Sequence, residues 1–292
     1  MEIKRYNKIL KILLLAVCLA VSAGIVVFFV KYSPGDRSAT PLVITNLDVG
    51  KADAAIICYG DITGMIDTGT EDAFETIDAW LSDHDITSID YMILTHFDKD
   101  HIGSAIDILR SYHVGSVYYP DYVSEKKGYA PLMEELGKDN EGRITIAVDE
   151  KMSVRFDDLN MELIPADDPD TILAGKKPDN NMSLMCRYEL GNKKLLFTGD
   201  IEGDRIEQLN CNNDDVSADW IKLPHHGGYE KVEKEFLKKV SPSFGVISTN
   251  SEREPDEHLI EFLEKHNITY YITENGNITT VCDGRTLTVT QD

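Results

Sequence analysis

With 292 residues, 42% of them hydrophobic, the chain has enough apolar content for one large domain or two small ones. Its 51 acidic and 29 basic side chains give a net charge of −22, which argues against the basic face that non-specific nucleic-acid binding needs. Five scattered cysteines without a CxxC spacing exclude a disulfide framework and a zinc finger.

The first forty residues stand apart. Lys4, Arg5, Lys8 and Lys11 precede an uncharged run from Ile12 to Val30. As a helix that run is about 28 Å long, close to the roughly 30 Å of a bilayer core. A cleaved signal peptide is the alternative, but its apolar core would be shorter, and here the apolar run continues past the weak small-residue site at Ala20 to Ala23. The pattern predicts a cytoplasmic tail over 1–11, a transmembrane signal anchor over 12–30 and a linker over 31–41. Residues 1–40 carry six basic and two acidic side chains, and the basic excess before the span places residues 42–292 outside the cell.

Beyond the linker, Leu42 to Asp48, Ala54 to Tyr59 and Ile62 to Asp67 read as strands, and Glu71 to Ser82 as a helix with apolar residues at 73, 74, 77, 80 and 81. A strand at Tyr91 to Leu94, a helix from Ile102 to Tyr112, a short strand at Val117 to Tyr119 and a short helix at Pro131 to Gly137 follow. Ile144 to Pro165 is mostly extended and 166–181 reads as a loop. Ser183 to Leu190 and Lys194 to Thr198 form a hairpin across Gly191-Asn192. Helices then fit Glu202 to Leu209, Glu230 to Val240 and Asp256 to His266. Trp220 to Leu223, Phe244 to Ser248, Thr269 to Thr273, Ile278 to Cys282 and Leu287 to Thr290 fit strands. This mixture predicts an α/β protein, a four-layer αβ/βα sandwich of two mixed sheets with helices outside, behind one N-terminal transmembrane helix.

Ligand-type residues follow the strands. His96, Asp98, Asp100 and His101 lie within six residues, directly after the Tyr91 strand. Loops at the carboxyl ends of strands are where α/β sheets hold ligands, and imidazole with carboxylate suits zinc, manganese or iron. Asp67, Thr198-Gly199-Asp200 and His225-His226-Gly227-Gly228 also end strands. Singly, Asp67 or Asp200 could cap a helix and His225 could be a loop histidine. Together the four segments point to a metalloenzyme.

In this order LDVGKADA (47–54), MIDTG (65–69), THFDKDHIG (95–103), NNMSL (180–184), LLFTGD (195–200) and KLPHHGG (222–228) resemble the metallo-β-lactamase superfamily. Within it they are most similar to the hydrolase domain of ComEC-type competence proteins and its stand-alone relatives, over roughly residues 42–290. The resemblance implies two divalent metal ions, zinc or manganese. His96 and Asp98 would hold the first, Asp100, His101 and His225 the second, and Asp200 would bridge them. Two cations about 3.5–4 Å apart can hold a bridging hydroxide as nucleophile. Asp100, Asp200 and His226 would then carry the catalysis, His226 by substrate contact or proton delivery. Asp67 would accept a hydrogen bond from a metal-bound histidine. Many relatives supply another histidine to the first metal, and here Asn181 or Ser183 is the nearby candidate. The chain also departs from the subgroup in carrying Asp98 where many superfamily members have His, Lys51-Ala52 for Gln-Gly, Gly228 for Ser and Glu254 for His.

The expected function is a membrane-anchored extracellular metal-dependent hydrolase, a phosphodiesterase acting on a small-molecule or polymeric phosphodiester such as nucleic acid, a nucleotide or a cell-wall phosphodiester. Its acidic surface gives no sequence-level support for nucleic-acid binding, though cations at the site would supply local positive charge for phosphodiester cleavage. Hydrolysis of a lactone, thioester or amide is the alternative, followed by a non-catalytic ectodomain that keeps the fold.

Overall fold

Successive residues of a strand face opposite ways, so an apolar strand can feed two cores at once. In β2 (Ala54–Tyr59), Ala55, Ile57 and Tyr59 join one buried cluster while Ala54 and Ile56 join another. The computed structural model describes residues 40–138, 142–212 and 214–292. The chain divides into units Met1–Ser38 and Ala39–Asp292, and every element below belongs to the second. The expected anchor over 12–30 lies outside the described residues. Among the described residues, no helix is long and apolar enough to cross a membrane.

One sheet runs in the order β15 (Leu287–Gln291), β14 (Ile278–Cys282), β1 (Leu42–Asn46), β2, β3 (Ile62–Thr68), β4 (Ser88–Ile93), β5 (His113–Pro120) and β6 (Ile144–Val148). The other runs β13 (Thr269–Ile272), β12 (Phe244–Ile247), β11 (Trp220–Lys222), β10 (Lys193–Phe197), β9 (Met185–Leu190), β8 (Leu159–Ile164) and β7 (Met152–Phe156). Each has a parallel half, β3 to β6 and β10 to β13, and an antiparallel remainder. The parallel halves are those whose strands are joined through helices, as a crossover between parallel neighbours requires. In the first sheet these are α1 (Phe74–Asp83), α2 (Lys99–Ile102), α3 (Ala105–Ser111) and α4 (Tyr129–Leu136). In the second they are α7 (Gly203–Cys211), α8 (Glu233–Val240) and α9 (Glu257–Lys265), after α5 (Pro169–Ala174) and α6 (Pro178–Asn181) between β8 and β9.

Three apolar clusters give the layering. Ile44, Ile57 and Tyr91 of the first sheet share a cluster with Tyr188, Leu195 and Trp220 of the second, and the Tyr91 and Tyr188 hydroxyls hydrogen-bond at 2.9 Å. Met65 and Met92 share a second cluster with Ile77 of α1 and Ile108 of α3. Leu196 and Ile221 share a third with Ile206 of α7, Phe236 of α8 and Leu263 of α9. Helices therefore cover the outer face of each sheet, in the expected four layers.

Two stretches differ from expectation. β4 and β5 begin earlier, at Ser88 and His113, because polar residues on one face masked strands that pair from Ser88↔His113 onward. The segment 166–181, expected as a loop, contains α5 and α6. Pro169 and Pro178 stand at the first helical positions, where the missing N–H costs nothing.

Glu233, at the start of α8, is 2% exposed, and burial pushes its carboxyl up to about 8. The fold thus favours its neutral form, so stability is full below about pH 4.5 and is lost as pH rises through about 8. Glu233→Gln is predicted to remove that loss, on the order of 2–4 kcal/mol. Thermal melts from pH 5 to 8.5 check it: the wild-type Tm falls more steeply across the range than the variant's.

Candidate metal centre

The loop after β4 is anchored by an aromatic residue. Phe97 is fully buried, its ring 5.1 Å from that of Tyr122 and 4.8 Å from that of Tyr129. With Phe97 anchored among these aromatic side chains, its neighbour His96 is buried towards the site, and the single turn α2 presents Asp100 and His101. Asp67 ends β3 with φ 55°, a left-handed conformation that turns its carboxylate under this loop. There it accepts from His101 Nδ1 at 2.7 Å, Thr95 N at 2.8 Å and Thr95 Oγ1 at 2.7 Å. Because the Thr95 hydroxyl donates to Asp67, the same oxygen accepts from His96 Nδ1 at 3.2 Å.

The second sheet supplies the rest. Gly199 (φ 57°) follows β10, and a Cβ there would lie 2.8 Å from Ser183, so glycine is required for the close approach. Ser183 Oγ accepts from Asp200 N at 3.1 Å and so fixes the Asp200 backbone. After β11, His225 (φ 46°) and His226 (φ 54°) are both left-handed. His226 points inward, 1% exposed, and its Nδ1 donates to the Ser248 carbonyl at 2.9 Å.

All three buried imidazoles are thus tied through Nδ1, which leaves Nε2 as the free donor of each. Nε2 of His96, His101 and His226 and Oδ1 of Asp200 are buried without a hydrogen-bond partner among the described residues. Asp200 Oδ2 lies 3.3 Å from His101 Nε2 and 3.4 Å from His226 Nε2, and Asp100 Oδ2 lies 3.5 Å from His226 Nε2. Donor atoms of His96, His101 and Asp200, and of Asp100, His101 and His226, fall within 4.8 Å of one another. Orphaned buried nitrogens facing carboxylates are the donor set of a transition-metal or zinc site, and the residues fit a divalent cation.

Charge dominates the site. Burial raises the Asp200 carboxyl, yet His226 and His101 outweigh it and hold the group well below its ordinary range. Burial lowers His226, but Asp200 and Asp100 push it up to about 9. His101 is raised in the same way by Asp200 and Asp67 against its burial, whereas burial and the neighbouring His101 lower His96.

Several expected residues stand elsewhere. His225, expected as a ligand of the second metal, is outside the converging donors. Its Nδ1 lies 3.3 Å from Glu202, and His226 takes the inner place. Two consecutive left-handed residues decide which histidine turns inward, and HHG alone does not reveal them. Asp98, expected beside His96, pairs instead with Lys126 Nζ at 2.6 Å. Asn181 is no candidate ligand in this arrangement: its Oδ1 accepts from Glu202 N and Arg205 N at the start of α7, and its Nδ2 donates to the Lys176 carbonyl. Ser183 acts on the Asp200 backbone. The reading of the sequence missed Asp53. It precedes β2, whose start lies beside the end of β3 in the register Ala54↔Thr68. Asp53 is 6% exposed and pairs with the buried Lys222 Nζ at 2.9 Å, and its Oδ1 lies 3.8 Å from His226 Nδ1. Its place inside LDVGKADA, just before an apolar strand, was the available signal.

Residues 47–251 match the profile of the metallo-beta-lactamase superfamily. The chain belongs to this superfamily. It is a metallohydrolase of the metallo-β-lactamase fold, with a His/Asp cluster able to hold divalent metal. It is 30% identical over 198 residues to ComE operon protein 3 of Bacillus subtilis (strain 168), covering 66% of this chain but only 24% of that protein, so it spans about a quarter of that relative's length. Among solved structures, the metallo-beta-lactamase fold protein YhfI from Bacillus subtilis superposes with a TM-score of 0.56 at 12% identity, covering 83% of this chain and 99% of that one. CmlA, a diiron beta-hydroxylase from Streptomyces venezuelae, superposes at 0.51 with 12% identity, covering 82% and 54%.

Two predictions follow from the buried pairs. Lys222→Met should destabilise the protein by about 3 kcal/mol by leaving the Asp53 carboxylate buried and unpaired, and adding Asp53→Asn should recover part of the loss; chemical denaturation reads both. Asp67→Ala should weaken metal affinity by about 10–100-fold through His101, measured by competition with a chromogenic chelator.

Proposed function

We propose that the chain is a membrane-anchored, extracellular metal-dependent phosphodiesterase. The observation that carries this reading is the position of Asp200, whose Oδ2 reaches within 3.4 Å of Nε2 on both His101 and His226. A carboxylate at that junction suits a bridging role, and hard oxygen donors suit cations that handle phosphoryl groups. His96, His101 and Asp200 would hold one divalent ion, and Asp100 and His226, with Asp200 beside His226, a second, zinc or manganese. The diiron assignment of CmlA, which shares the fold, supports a two-metal reading. When bound, such ions supply Lewis acidity and an acidified water.

The chain's own residues do the positioning. Asp67, Thr95 and the Ser248 carbonyl orient the three imidazoles, and Ser183 fixes the backbone of Asp200. His225 and Glu202 lie outside this set, where His225 can contact substrate. The uncharged run 12–30 and its basic flank support the membrane placement, with 42–292 outside and nucleic acid, a nucleotide or a cell-wall phosphodiester as substrate class.

Detergent-purified full-length chain is predicted to hydrolyse bis-p-nitrophenyl phosphate with added manganese or zinc, and to lose turnover with a chelator. Asp100→Ala and Asp200→Ala should lower kcat by about 100-fold or more. Rates equal to wild type in both variants would sink the reading. Turnover confined to a lactone, thioester or amide panel would replace it with carbonyl hydrolysis.

A further inference from the structure

We infer that Lys51 and Lys126 form an anion clamp at the mouth of the site, one that grips the non-bridging oxygens of a phosphoryl substrate. The inference deepens the phosphodiesterase reading and rests on it for the substrate class. Lys51, in the loop between β1 and β2, brings Nζ to 3.2 Å from Asp100 Oδ2, the same oxygen that lies 3.5 Å from His226 Nε2. Lys126, between β5 and α4, brings Nζ to 2.6 Å from Asp98 Oδ1. The two side chains are 29% and 40% exposed, so each ammonium touches a carboxylate of the His96–His101 loop while reaching solvent.

The segment carrying Lys126 is fastened. Tyr122 donates to Asp179 of α6 at 3.1 Å, Ser124 Oγ donates to the same carboxylate, and Lys126 N donates to Ser124 Oγ at 3.1 Å. The ring of Phe97 packs tilted against that of Tyr122, 5.1 Å away. Lys126 is therefore delivered by a braced backbone.

When Asp100 shares its charge with a bound cation, the Lys51 ammonium loses part of its hold on that oxygen, while Lys126 stays on Asp98, two residues along the same loop. An oxyanion at the cation then offers both ammonium groups a further partner. Two lysines match a group with two anionic oxygens, whereas a neutral carbonyl uses neither charge.

Calorimetric titration of inorganic phosphate into the manganese-loaded full-length chain tests the clamp, with Lys51→Gln, Lys126→Gln and the double variant in parallel. Each single change is expected to raise Kd by about 10-fold and the double change by more, with metal content unchanged. Lower kcat/KM for the anionic diester, with neutral-ester hydrolysis unaffected, is the matching kinetic result. No phosphate binding by wild type, an unchanged Kd in the double variant, or metal content that falls in step with phosphate affinity would overturn the inference. Lysine-dependent phosphate binding without diester cleavage leaves the clamp standing and removes the phosphodiesterase reading. Cleavage that the double variant retains in full does the reverse.

Discussion

Buried at the end of β3, the Asp67 carboxylate accepts from His101, from the Thr95 amide and from the Thr95 hydroxyl, and much of the centre's geometry follows from these three bonds. The first fixes the tautomer of His101 and frees its Nε2. The other two hold Thr95, which in turn accepts from His96, so a single carboxylate sets two imidazoles. They also join the end of β3 to the loop after β4, which makes the parallel pairing of those strands and the donor set one structure. Burial pushes the Asp67 carboxyl up despite His101, and the left-handed φ adds about 1 kcal/mol or more of backbone strain. Such a residue persists because the surrounding hydrogen bonds over-determine it.

Left-handed residues recur around the site. Asp67, His225 and His226 are left-handed non-glycine residues, and Gly69, Gly199 and Gly227 are left-handed glycines beside them. Asp67 and Gly69 lie at the end of β3, Gly199 follows β10, and His225, His226 and Gly227 follow β11. At His225-His226 the consequence is chemical: the outer histidine meets Glu202, and the inner one meets Asp100 and Asp200.

This explains what the sequence disclosed. Strand and helix periodicity revealed the two mixed sheets and their helical cover, since buried strands and amphipathic helices carry their layer in their own pattern. Asp100, His101 and Asp200 were legible as a cluster after strands. Choices of rotation were not legible: whether His225 or His226 faces in, and whether Asp98 faces His96 or Lys126. Those depend on φ angles and on a lysine 28 residues away, neither of which local spacing encodes. Asp53 escaped because its partners, Lys222 and His226, lie on the opposite sheet. Asn181 and Ser183 occupy the right neighbourhood, yet their polar atoms serve α7 and the Asp200 backbone.

The charge balance links these choices to function. Asp53, Asp67 and Asp200 are buried carboxylates and need positive charge nearby. Lys222 answers Asp53 directly. For Asp100 and Asp200 the compensation comes through Nε2 of His101 and His226, as a proton or as a coordinated divalent ion. One nitrogen cannot carry both, so cation uptake must release protons and must weaken as pH falls. The raised imidazoles therefore report a pocket with more carboxylate than its fixed cations neutralise. That excess is what gives a divalent ion, and after it an oxyanion held by Lys51 and Lys126, a reason to bind in a chain whose overall charge is −22.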